Sequence, residues 1–247
     1  MSDASERLRR PAWLRVWGVA LVPLFGTGAY LGLVWSPQDV NQGNLIRIMY
    51  AHVSVAWIGF LAVFLTALFG SLFLWRGKRR DDVVSVASAE LALLFSSLTI
   101  IGGMTYSRPT LNTFWTWDAK LTLTALMVAM LVGYFIVRGL IDDPVRRGRV
   151  SAVVAIVVAA SLPFNYLAAE WFRTLHPSRA IALDGSGVTM APEMLLTLLF
   201  NTVVAGLVYG WFLVDRARLG HVEAQLEQER AELELQSAPT AGGVVRV

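Results

Sequence analysis

The stretch "AHVSVAWIGFLAVFLTALFGSLFLW", residues 51–75, contains no charged side chain and only one histidine among otherwise apolar and small residues. A helix rises about 1.5 Å per residue and the hydrocarbon layer of a bilayer is about 30 Å thick, so about 20 such residues suffice to cross it. The run is long enough to span, and five more like it follow the same rule: Val16–Trp35, Val83–Tyr106, Leu121–Val137, Val150–Ala168 and Met194–Val214. The composition agrees, with 55% hydrophobic residues, 16% charged residues and a mean hydropathy of +0.56. The expected fold is an all-α polytopic membrane protein with six transmembrane helices. Val16–Trp35 is too long for the core of a secretory signal and lacks a small-residue cleavage site after it, so it reads as a span rather than a removed leader.

Basic residues orient the spans. One side carries Arg7, Arg9, Arg10, Arg15, Arg76, Lys78, Arg79, Arg80, Arg138, Arg146, Arg147, Arg149, Arg216, Arg218, Arg230 and Arg246. The other has only Arg47, Arg108, Lys120, Arg173 and Arg179. Cytoplasmic loops hold the Lys/Arg excess, so an N-in, C-in topology is expected, with segments 36–50, 107–120 and 169–193 facing outward. This distribution also explains the basic isoelectric point without nucleic acid. The six-span domain covers 1–214. Residues 215–236, rich in helix formers with Val222, Leu226 and Leu233 on one face, read as a cytoplasmic helical extension. Residues 237–247 read as a disordered tail.

Several chemistries are excluded by residue type. The chain has no cysteine, which removes disulfides and covalent haem attachment through thioethers. It has no glycine-rich phosphate loop, so it does not hydrolyse nucleotide by that device. Glu90 is the one acidic residue well inside a span, close enough to the inner side to meet a cytoplasmic arginine. Pro163 and Asn165 are expected to kink the fifth span or end it early. Most span-end tryptophans read as interfacial belt residues.

What remains unusual collects on the outward side: His52 at the start of the second span, His176 in the last outward loop, and "RPTLNTFWTWDAKLT" over 108–122. In an extended backbone Trp115 and Trp117, two residues apart, face the same way. Such a pair suits a flat aromatic ligand such as haem, another apolar ligand, or the membrane surface. Two imidazoles are the ligands haem iron takes axially, and basic residues pair with its propionates. Ala56 and Gly59, four and seven residues after His52, are small enough to admit a macrocycle against the helix. Asp118 reads as a cap for the fourth span or a partner for Lys120 or Arg108.

Segment 108–122 resembles the tryptophan-rich signature of the haem-handling proteins of cytochrome c assembly. "QGNLIRIMYAHVSVAW" (42–57) and "EWFRTLH" (170–176) resemble the histidine segments that flank it. The closest likeness, over roughly residues 13–214, is to the six-span haem exporters of cytochrome c maturation. The signature is close to T-W-G-T-W-W-x-W-D-A-R-L-T; here Leu111, Asn112, Phe114 and Lys120 stand where it has Trp, Gly, Trp and Arg, while Trp115, Trp117, Asp118, Leu121 and Thr122 match it. The resemblance implies His52 and His176 as axial ligands of a non-covalent b-type haem, with Arg108, Phe114, Trp115, Trp117, Asp118 and Lys120 along the haem edge. It also implies a non-enzymatic role in the bacterial inner membrane, presenting haem to a periplasmic haem chaperone. The implied partners are an ATP-binding-cassette pair, a small single-span subunit and membrane lipid. A haem lyase of the longer branch sharing the signature, and a small-solute permease, are the alternatives.

Overall fold

The computed structural model describes residues 8–172, 174–176 and 190–237. The expected tail lies outside the described residues apart from Ser237, as do Arg7, Arg173, Arg179 and Arg246. Six helices follow one another, without a strand among the described residues: α1 (Ala12–Tyr30, continued by a π-helical turn Leu31–Trp35), α2 (Ile46–Arg76), α3 (Arg79–Leu111), α4 (Ala119–Gly139), α5 (Pro144–Trp171) and α6 (Pro192–Ser237). All six are long and apolar enough to cross a membrane. Most exceed the apolar runs by several residues, because polar caps and first-turn residues extend each helix into the interface.

α2, the helix of residues 51–75, is the hub. It packs against α3, α5 and α6, while α1 leans on α6 and α4 sits between α3 and α5. The core joins Ile58, Ala62 and Val63 of α2 to Leu91, Ala92 and Phe95 of α3, Met127 and Leu131 of α4, Val158 of α5 and Tyr209 of α6. Lipid supplies no hydrophobic drive between helices, so close approach depends on small residues and hydrogen bonds. Ser85 and Ser88 of α3 donate to the Thr66 and Ala62 carbonyls of α2, each at 2.8 Å. The α1–α6 seam is reciprocal: Gly18 lies under the Trp211 ring and Gly210 under Trp17, while the Trp211 indole donates to the Leu14 carbonyl at 2.8 Å. The π-turn ends α1 by turning Ser36 inward to hydrogen-bond the buried Tyr50 hydroxyl of α2.

The short connections are set by caps. Gly77, at φ 65°, closes α2 in the left-handed conformation that glycine adopts without strain. Asp143 caps α5 by accepting from the Arg146 amide at 2.6 Å, with Pro144 opening the helix.

Two expectations about polar residues in the spans resolve differently. Glu90 accepts two hydrogen bonds from the Arg216 guanidinium, at 2.6 and 2.9 Å, so its carboxylate is paired in α6. α5, by contrast, does not break: it runs through Pro163 to Trp171. A proline costs a helix one backbone bond, and Asn165 does not add to the damage because its side chain is buried against α4. Its amide donates to the Thr124 hydroxyl at 3.1 Å. Asn165→Ala would remove that bond and leave the Thr124 hydroxyl only its bond to the Lys120 carbonyl, 2.8 Å away. A loss of about 0.5–1.5 kcal/mol is expected, read as a lower unfolding temperature in detergent.

α6 carries its helix straight from the sixth span into the extension. Arg79, which opens α3, and Arg147, in the first turn of α5, both reach Glu227, and Arg10 meets Asp215 at 2.7 Å. Val222 and Leu226 are half-buried against this end of the bundle, and Leu233 is exposed. The bundle thus has an end with these charged clasps and an opposite end, where the 108–122 loop lies.

Candidate functional site

At that opposite end the packing opens. α5 and α6 flank α2 without packing on one another, and the space between holds a cavity of about 760 Å³. That volume is within the usual range for a bound small molecule, about 300–1,000 Å³. One face of α2 forms its back wall through Met49, His52, Val53, Ala56, Trp57 and Phe60. α3 adds Thr99, Gly103, Met104 and Tyr106, the loop adds Trp115 and Thr116, and α4 adds Lys120 and Thr124. Asn165, Tyr166 and Ala169 of α5, His176, and Leu198 of α6 close it. The lining is chiefly apolar.

His52 and His176 therefore share one cavity, although 124 positions separate them in the chain. His52 stands on the hub helix, and its Nδ1 is buried without a hydrogen bond of ordinary geometry. His176 has only a short described segment to stand on, and Asp118 anchors it. The Asp118 carboxylate accepts from the Lys120 amide at 3.0 Å, which caps α4, and also from the Thr174 hydroxyl at 2.6 Å and the Leu175 amide at 2.8 Å. Thr174 Oγ1 in turn accepts from the His176 amide at 3.1 Å. Partial burial pushes the Asp118 carboxyl up, but the Thr174, Leu175 and Lys120 donors outweigh it and hold it below the usual carboxylate range. Of the readings open for Asp118, capping is the one the geometry supplies. The tether to the His176 segment had no signal in the sequence.

The 108–122 loop is not a flat shelf. Asn112, at φ 55°, ends α3 in the left-handed conformation, which asparagine tolerates as glycine does. The Thr113 hydroxyl then donates to the Trp115 carbonyl at 3.0 Å and curls the chain. Trp115 and Trp117 consequently meet edge to face, ring centroids 5.7 Å apart and planes at 84°. Trp115 is half-buried and lines the cavity, whereas Trp117 is 84% exposed. Phe114 is exposed under the Arg108 guanidinium, 5.5 Å from its ring centroid, and Arg108 is also held to Asn112. Of the proposed site residues, His52, His176, Trp115 and Lys120 line the cavity; Arg108, Phe114, Trp117 and Asp118 do not. Leu111 lines it too, where the signature has tryptophan.

Ala56 faces the cavity as expected, but Gly59 does not. A side chain on Gly59 would meet the α3 backbone at Phe95 and Ser96, 3.5 Å away, so its smallness serves helix packing. Sequence reading passed over Trp57, Tyr106, Thr116 and Asn165. The Trp115 Nε1 and the Thr116 hydroxyl are both buried without a hydrogen-bond partner at the cavity wall. Buried polar groups are rarely left unpaired, so these two donors are available to a ligand or to water in the cavity.

The family model for heme exporter protein C matches residues 3–232. The heme exporter protein C of Bradyrhizobium diazoefficiens is 32% identical over 195 residues, covering 76% of this chain and 72% of that protein. That of Escherichia coli K12 is 30% identical, over 66% of this chain and 67% of its own length. That of Haemophilus influenzae is 26% identical over 79% of each. With the six helices and the shared cavity already in place, the match over nearly the whole length shows that the chain belongs to the heme exporter protein C family.

Proposed function

We propose that this protein binds haem without covalent attachment in the His52–His176 cavity and takes part in haem transport for cytochrome c maturation. The observation that carries the reading is the convergence of two histidines on one apolar cavity of suitable size. The residues fit the group. His52 and His176 supply neutral imidazoles for the iron, and the walls from α2 and α3 accept the hydrophobic edge. Trp115 Nε1, the Thr116 hydroxyl and Lys120 offer donors or charge for the carboxylate edge. A chain without cysteine holds the macrocycle as b-type haem.

In this reading the protein is a transport component of the bacterial inner membrane, not an enzyme. Both termini are cytoplasmic, and the cavity opens to the periplasm, on the side where Arg108, Phe114 and Trp117 meet a periplasmic haem chaperone. An ATP-binding-cassette pair and a small single-span subunit work beside it. Handover requires exchange of an iron ligand. His52 is fixed on the hub helix, so His176, on its tethered segment, is the ligand that gives way. The cytoplasmic extension 215–236 is left for contacts with the partners on that side.

The test is to purify His52→Ala and His176→Ala and record haem content and absorption. Each should convert six-coordinate haem to a species lacking one axial ligand, with a displaced Soret band and reduced occupancy. Unchanged spectra and haem content in both variants would sink the assignment.

A further inference from the structure

Two adjacent glycines, Gly102 and Gly103, stand inside the C-terminal third of α3, where each costs helix stability of about 1 kcal/mol relative to alanine. Neither has a positive φ, so the backbone does not require them. Small residues in a span commonly let two helix backbones approach, and Gly59 and Gly70 do so here. Gly102 and Gly103 face something else. A Cβ on Gly102 would lie 2.9 Å from Nδ1 of His52, 3.4 Å from its Cβ and 3.5 Å from its Cγ. A Cβ on Gly103 would lie 3.4 Å from its Cε1 and 4.0 Å from its Nε2. The pair is a flat recess in α3 into which an imidazole from α2 is laid.

The recess turns one nitrogen of the ring to the α3 backbone. Nδ1 is the buried atom without a bond of ordinary geometry, and the imidazole interacts with the Thr99 backbone one turn before Gly102. Histidines that bind metal through one nitrogen almost always donate from the other to a carbonyl or carboxylate, which fixes tautomer and ring angle. An α3 surface with side chains at 102 and 103 would lift the ring off the α3 backbone.

We infer that Gly102 and Gly103 are positioning residues that seat the His52 ring on α3, Nδ1 toward the α3 backbone, so that Nε2 is presented to the cavity as the ligating nitrogen. This rests on the haem reading above, with His52 as an iron ligand. Neither glycine touches the iron; both act through His52.

The experiment is a haem titration of the purified full chain, following affinity and the low-spin absorption bands. The variants are Gly102→Ala, Gly103→Val, His52→Ala and the double Gly102→Ala/His52→Ala. Gly133→Ala serves as a control, because a Cβ there meets nothing within 4 Å. Gly102→Ala is expected to weaken haem binding on the order of 10- to 100-fold, the usual effect of removing an outer-shell contact, and to diminish the low-spin bands. Gly133→Ala should match wild type. The double variant should bind haem no more weakly than His52→Ala alone, since the seat has no effect without the ring. A general lesion in α3 would instead multiply the two losses. Wild-type affinity and bands in Gly102→Ala, or multiplied losses in the double variant, would overturn the inference while leaving the haem reading intact. Wild-type binding in His52→Ala would overturn both. Should Gly102→Ala not yield folded protein, Gly103→Val carries the same test, because its branched side chain would press on Cε1 and Nε2.

Discussion

Asp118→Ala is expected to release the His176 segment and lower haem occupancy as far as His176→Ala does, although the carboxylate makes no contact with the iron in this scheme. One side chain holds three things: the α4 cap through Lys120, and the residues two and one before His176 through Thr174 and Leu175. Losing the cap alone costs about 1 kcal/mol, too little to unfold a bundle of this size. Losing the tether frees the ordering that lets His176 reach the cavity. The variant should therefore stay folded while its haem bands resemble those of His176→Ala. Asp118→Asn keeps an acceptor for Thr174 and Lys120 but turns an N–H toward the Leu175 amide, so it should fall between. The folded carboxyl is held below its ordinary value, so its contribution is fully present above the unfolded range, about pH 4, and disappears as pH falls through the lower, folded value. Plotted as wild type minus Asp118→Asn, haem retention should be flat from neutral pH down to about pH 5 and shrink only in stronger acid. A difference that vanished near neutrality would show that the carboxylate charge is not what holds the segment.

The largest loss of stability is expected at the other end of the bundle. Arg138 of α4 donates to both oxygens of Asp82 on α3, each bond 2.8 Å, and their side chains are only 15% and 12% exposed. Removing one member of such a pair strands the other charge in a poorly solvated interface. Asp82→Ala should therefore cost about 3–5 kcal/mol, seen as a much lower unfolding temperature in detergent. The double variant Asp82→Leu/Arg138→Leu should recover most of that loss, because it removes the stranded charge as well as the bond. If Asp82→Ala unfolds at the wild-type temperature, the pair is solvated and structurally idle.

Residues 51–75 and the five similar runs were enough to identify the six helices, because span length and apolarity follow directly from bilayer thickness. The site was legible only where chemistry is carried by residue type. His52, His176, Trp115 and Lys120 stand out in a hydrophobic chain, and all four line the cavity. Trp117 was paired with Trp115 on one face by alternation as well as by the signature, and alternation failed when Thr113 curled the backbone and turned that ring outward. Pro163 suggested a broken helix because the rule concerns one lost backbone bond; it does not see Thr124 across the interface. The same limit hid the Asp118 tether and the glycine recess under His52. Both depend on pairs far apart in the chain, and glycine announces nothing about what lies above it.

The unbroken course of α6 has a structural consequence. Its 46 residues make a rod about 69 Å long, with Leu198 at the cavity wall and Glu227 about 44 Å away in the clasp of Arg79 and Arg147. No break in the helix separates the two sites among the described residues. The helix that Glu227 ties to its two arginines is thus the same one whose Leu198 forms part of the cavity wall.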